Sequence, residues 1–211
     1  MPEQVAATLP VLLTAVADVI TEHADEVTAL DQTLGDGDHV FNLQRGIDAL
    51  LPLADELSQL DWSAALQKIG MTVMSTIGGA SGSLYGTLFI GLSKATRARS
   101  IDLPTFADAF AQAVDAVKAR GKADRGDKTM LDVLIPAAQA LQEAAAKSLP
   151  LDEALTEIRK AADAGLESTR DLLATKGRAS FLGERARGHL DAGAKTSQLM
   201  IEAIVGVLAS T

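Results

Sequence analysis

The 211-residue chain is 47% hydrophobic and 22% charged with only 3% aromatics, the proportions of a globular chain long enough for one buried core. Its 19 basic and 28 acidic residues leave a formal charge of −9, which repels phosphate backbones and disfavours nucleic acid as a partner. Cysteine is absent, which excludes a disulfide framework, thiolate metal sites and a cysteine nucleophile and suits a reducing cytosol.

Apolar residues recur at three- and four-residue spacing, which predicts amphipathic helices over about 4–28, 39–53, 60–78, 82–97, 104–120, 129–147, 151–175 and 194–210. Period-2 β-branched runs are essentially missing, so an all-α fold in one domain spanning 1–211 is expected. The opening "MPEQVAATLPVLL" has no basic region before its apolar residues, so a cytoplasmic chain without a signal peptide is expected. No run approaches ~18 consecutive apolar residues, so no membrane span is expected either. Asp102 with Pro104, and Pro150 with the acidic residues after it, mark two helix starts.

The unusual chemistry falls in four interruptions between helices. The first, 31–42, reads "DQTLGDGDHVFN" and crowds Asp31, Asp36 and Asp38 together. Carboxylates at ~4 Å repel by a few kcal/mol per pair at an effective dielectric near 20, so they either point apart into water or share a cation. Oxygen-only donors suit a hard ion such as Mg²⁺ or Ca²⁺, and an EF-hand fails because the twelfth position from Asp31 or Asp36 is Asn42 or Ile47. The bland reading is a polar turn with an aspartate as helix N-cap.

The second interruption, "GGASGSLYG" at 78–86, places small residues before an apolar helical stretch. Free N–H groups at a helix start form an anion site, to which Ser81 or Ser83 adds a hydroxyl; a glycine C-cap followed by a serine N-cap also fits. The third, "GKADRGDKTMLDVL" at 121–134, is a turn in which Asp127 or Thr129 caps the following helix. The fourth, 176–195, is polar and glycine-rich and carries Arg178, Arg185, Arg187 and His189. It is either a guanidinium loop for phosphate or a solvated loop whose charges pair with Glu184 and Asp191. His23, Trp62 and Tyr85 are expected to be structural. Taken together, an acidic cation loop, a helix-start anion site and an arginine loop describe a nucleotide-phosphate site built without a P-loop.

The motifs "LDQTLGDGDH", "GGASGSLYGTLF", "GDKTMLDVLIPA" and "GRASFLGERARGHLDAGA", spanning roughly residues 30–195, closely resemble the nucleotide-binding L subunits of dihydroxyacetone kinase. The same module forms the C-terminal domain of ATP-dependent dihydroxyacetone kinases. The resemblance implies a barrel of about eight antiparallel helices with the nucleotide at one rim. It implies that Asp31, Asp36 and Asp38 ligate two Mg²⁺ ions bridging the nucleotide phosphates, and that these three and Arg178 carry catalysis. It places His39, Val40, Phe41 and Asn42, together with Gly79, Ala80 and Ser81, at the phosphates. Gly121 and Met130 would lie at the base, Arg178 at phosphate, and Asp191, Ala192 and Gly193 along the base or ribose. Two positions depart from the family pattern: Val40 stands where glycine is usual, and Ala192 where proline is usual. Val40 is therefore expected to crowd the approach to phosphate, and Ala192 to loosen its loop.

The resemblance also implies partners: a dihydroxyacetone-binding subunit that carries the substrate and a phosphocarrier subunit of the phosphotransferase system that rephosphorylates bound ADP. A homodimer is allowed. The alternatives are an ATP-dependent kinase subunit for another small hydroxyketone or sugar acid, and a non-catalytic nucleotide-loaded regulatory module.

Overall fold

The computed structural model describes residues 8–210. Ten α-helices and no strands occur among them. In chain order these are α1 (Leu9–Glu22), α2 (Ala24–Leu34), α3 (His39–Leu50), α4 (Ala54–Ser58) and α5 (Trp62–Thr76). The remainder are α6 (Gly79–Thr96), α7 (Leu103–Gly121), α8 (Leu131–Ala146), α9 (Leu151–Ser168) and α10 (Ala192–Ala209). None is long and apolar enough to cross a membrane.

Eight of these helices form a closed ring. Each of α5 to α10 packs on its predecessor, α3 joins α1 to α5, and α10 returns to pack on α1. α2 leans on α10 and α3, and α4 on α1. The short connections from α5 to α9 oblige successive helices to run antiparallel. In such a ring the N-termini of α6, α8 and α10 and the C-termini of α5, α7 and α9 share one end. The interior is filled by one apolar cluster that includes Leu43, Leu66, Ile69, Leu88, Val114, Val117, Leu131 and Leu134. Small residues let the helices approach closely. A Cβ on Gly165 of α9 would stand 2.2 Å from the Asp132 carbonyl oxygen of α8, so only glycine fits that crossing.

Local signals explain most helix starts. Asp61 accepts the Ala64 N–H at 2.9 Å, and Asp102 accepts that of Thr105 at 2.8 Å with Pro104 in the first turn. The first predicted helix, 4–28, divides at His23, and residues 4–7 lie outside the described ones. His23 instead pairs with Glu26 at 2.8 Å, and the chain continues as helix to Leu34, which moves Asp31 from the expected loop onto a final helical turn. The predicted 39–53 helix ends at Leu50; a 3₁₀ turn (Leu51–Leu53, containing Pro52) leads into the short α4. Residues 169–171 likewise form a 3₁₀ turn rather than more of α9, and Arg178–Ala186 is a 3₁₀ segment kinked at Gly183.

Candidate functional site

The carboxylates of Asp31, Asp36 and Asp38 each offer an oxygen within 4.8 Å of the others, at the junction of α2 and α3. Asp31 is part-buried and the other two are exposed. Asp38 occupies the N-cap position of α3 yet makes no side-chain capping bond; the His39 N–H goes instead to Asp31 Oδ2 at 3.1 Å. The simple capping turn thus fails as an account of Asp38. Three oxygen donors converging from one turn fit a hard divalent cation such as Mg²⁺. Arg178 forms an ion pair with Asp36, on side chains 66% and 32% exposed, so solvent screens it and little energy opposes its opening. The 3₁₀ segment that carries Arg178 is seated on α2 by Leu34, Ala179 and Ala186, with Leu182 packed alongside.

His39 ties the acidic junction to two other helices. Its Nδ1 lies 3.1 Å from Ser81 Oγ in the first turn of α6, and its Nε2 lies 2.9 Å from Thr196 Oγ1 in α10. Burial pushes its pKa below the usual value, against the pull of Asp31 and Asp38, so the ring is neutral at pH 7. The Thr196 hydroxyl also meets the phenol of buried Tyr85 at 3.1 Å, and Ser197 meets the same phenol at 3.0 Å. Burial raises the Tyr85 pKa.

One helical turn separates His39 and Asn42, so both face the start of α6. A Cβ on Gly78 would stand 2.8 Å from Asn42 Oδ1, so any larger residue there would push the Asn42 amide aside. Phe41 points outward and is 65% exposed. Val40 is buried in a cluster with Ile20, Val27, Leu199 and Ala192. The expectation that Val40 crowds the rim is therefore corrected: its position in the turn aims the side chain into the core. Ala192, buried in the same cluster, starts α10 in a well-capped turn and leaves nothing loose. Gly79, with φ of +66°, and the exposed Ala80 open α6 toward the rim.

The other side of the rim is built around Asp191. Its carboxylate accepts the Ala194 N–H at 2.8 Å and caps α10. Gly193 lies against Met130, the N-cap of α8, with an added Cβ 3.7 Å from the Met130 nitrogen. Gly121, the last residue of α7, stands beside Leu84 of α6. Of the two pairings that the solvated-loop alternative names, Arg187 pairs with Glu184 at 3.2 Å, and Asp191 pairs with none of the loop arginines. Asp191 faces Lys128, and its burial raises the carboxyl to about 6 despite the Ala194 N–H and the Lys128 charge. In the 122–130 turn, Asp127 caps nothing in α8. It accepts the Asp124 N–H and the Thr175 hydroxyl, while Thr129 Oγ1 accepts the Leu131 N–H at 3.2 Å.

The fold thus gathers His39 and Ser81 beside the three aspartates and Arg178, and sets Met130 and Gly193 against each other at the entry to α10. Thr196, Tyr85, Lys128 and Thr169 are the participants that sequence reasoning passed over. Tyr85 read as packing, Lys128 stands unremarked inside the "GDKTMLDVLIPA" motif, and Thr169 and Thr196 carry no local motif of their own.

The pattern of the DAK2 domain family matches residues 33–206. The chain is 38% identical over 191 residues to the Escherichia coli (strain K12) protein named PEP-dependent dihydroxyacetone kinase, ADP-binding subunit DhaL, covering 90% of this chain and 91% of that one. It is 40% identical to a Listeria innocua PEP-dependent dihydroxyacetone kinase 1 ADP-binding subunit (88% of each chain) and 36% identical to the Lactococcus lactis PTS-dependent counterpart (90% and 91%). Among solved structures, dihydroxyacetone kinase from C. freundii in complex with AMP-PNP and Mg²⁺ superposes with a TM-score of 0.72 at 25% identity, over 95% of this chain and 34% of that one. A family pattern that runs from the acidic junction to α10, together with relatives alike over nine-tenths of their length, shows that the chain belongs to the DAK2 domain family.

Proposed function

We propose that this chain is the ADP-binding subunit of a dihydroxyacetone kinase. It holds a Mg²⁺-nucleotide at the rim of the helical ring and transfers a phosphoryl group to dihydroxyacetone carried by a separate substrate-binding subunit. A phosphocarrier subunit of the phosphotransferase system rephosphorylates the bound ADP. The observation that carries this reading is the convergence of Asp31, Asp36, Asp38 and Arg178 on one rim beside the start of α6. The phosphocarrier-dependent form is favoured over an ATP-dependent kinase because identity is 36–40% to the PEP- and PTS-dependent subunits but 32% to an L-erythrulose kinase.

Phosphoryl transfer asks little covalent chemistry of a protein, and positioning with charge neutralisation dominates. Asp31, Asp36 and Asp38 would hold two Mg²⁺ ions, which when bound neutralise phosphate charge. The N–H groups of Gly79, Ala80 and Ser81 donate to phosphate oxygens at the positive end of α6. Neutral His39, braced between Ser81 and Thr196, keeps the α3 and α6 starts in register around the phosphates. Arg178 exchanges its exposed pairing with Asp36 for a phosphate oxygen. Met130 and Gly121, with Asp191, Ala192 and Gly193, line the base and ribose.

The test is to purify the chain, denature it and identify released nucleotide. Stoichiometric ADP that survives dialysis, and that is turned over with a substrate subunit, a phosphocarrier and phosphoenolpyruvate, supports the proposal. An empty protein that consumes free ATP supports the ATP-dependent kinase. A loaded protein inert with either donor marks a regulatory module. Asp36→Ala is expected to abolish Mg²⁺-dependent nucleotide retention with helical content intact; retention at the wild-type level would overturn the metal assignment.

A further inference from the structure

Lys128 is only 1% exposed, the largest fully buried side chain among the described residues, and it sits at φ of +60° in the 122–130 turn. An ammonium taken out of water must be paired and hydrogen-bonded to be tolerated. Its Nζ donates to the carbonyl of Thr169, just past α9, and to that of His189 at 2.6 Å. Asp191, Asp132 and Asp171 supply the facing negative charge, and Arg170 opposes it. The turn is itself pinned, because Asp132 accepts the N–H groups of Gly126 at 2.6 Å and Thr129 at 2.8 Å. Thr169 Oγ1 in turn accepts the Asp191 N–H at 3.1 Å. The two ends of the long connection between α9 and α10 are thus clamped on one buried cation. An apolar side chain here would leave the Thr169 and His189 carbonyls without their donor, so the ammonium itself ties the two ends of the connection to the 122–130 turn.

We infer that Lys128 is a positioning residue for the nucleotide: its buried ammonium, bonded to the Thr169 and His189 carbonyls, holds Asp191–Gly193 against Met130 on the base and ribose side of the rim. The inference rests on the nucleotide site proposed above. It separates the rim into a phosphate half, set by the aspartates and α6, and a nucleoside half set by Lys128.

The full-length chain is titrated calorimetrically with Mg²⁺–ADP and with Mg²⁺–tripolyphosphate, a probe that keeps the phosphates and lacks the nucleoside. Lys128→Met and the gentler Thr169→Val, which removes the acceptor for the Asp191 N–H together with the hydroxyl's bond to the Leu166 carbonyl, are each compared with wild type. The expected result is a tenfold or greater loss of Mg²⁺–ADP affinity in Lys128→Met and a smaller loss in Thr169→Val. Tripolyphosphate affinity is expected to stay within about threefold of wild type in both. Equal losses for the two probes would reduce Lys128 to a structural role, and unchanged ADP affinity would overturn the inference. If Lys128→Met fails to fold, Thr169→Val decides by the same criteria. A wild-type chain that binds neither probe overturns the proposed nucleotide site, and the positioning role falls with it.

Discussion

Asp191 caps α10 through the Ala194 N–H, and burial still lifts its carboxyl to about 6, so two local demands on one residue conflict. The unfolded carboxyl titrates near 3.8. Between these values the folded chain holds a proton that the unfolded chain has released, so this group's contribution to stability falls as pH rises from about 4 to about 6. Asparagine is an equally good N-cap and does not titrate. Asp191→Asn is therefore expected to flatten this limb, by at most about 2 kcal/mol between pH 4.5 and 7. His39, with its pKa held down by burial, contributes in the opposite direction, so the decisive quantity is the wild-type minus variant difference in urea midpoint across that range. A difference that does not change with pH would show that Asp191 is ionised throughout. Val40 teaches a related lesson. Its departure from the family pattern is visible in the sequence, but its direction is not: one position along the turn from His39 is enough to send it into the core.

At the scale of elements, the sequence showed where helices run and where they break, because apolar periodicity and capping residues act within a few positions. It misplaced Asp31, since nothing local stops α2 before Leu34, and it missed the division at His23 and the short α4. Close crossings were equally hidden: a glycine within a helical pattern does not announce its neighbour. Gly165 faces the Asp132 backbone, where even a methyl group has no room. Gly165→Ala is expected to cost about 1–3 kcal/mol through displacement of α9 from α8. For a chain of this length, that is a fall of roughly 3–10 °C in Tm, measured by circular dichroism. An unchanged Tm would mean that the two helices part at no cost.

For the molecule as a whole, closure of the ring by α10 on α1 brings residues far apart in the chain to one rim. Binding that depends on several such elements at once should stabilise them together. Mg²⁺ with ADP at about a hundred times its dissociation constant is expected to add about 2.7 kcal/mol, roughly 5–10 °C in Tm. Excess EDTA should remove the gain. Hydrogen exchange should slow at 35–38 and 176–191, the two segments joined by the Arg178–Asp36 pair, and stay unchanged in α4. Protection confined to one segment would argue against a shared site.

The sequence by itself determined the helical class, the four breaks that carry polar chemistry, and the family, through motifs read in order. Those properties depend on residues close together in the chain. Only the tertiary structure decided that His39 meets Thr196 across 157 positions, that Lys128 is buried between two carbonyls, and that Asp191 faces a lysine rather than an arginine. Such pairings follow from which helices close the ring and at which end their termini meet, and packing between distant segments sets that geometry, with no periodicity in the chain to record it.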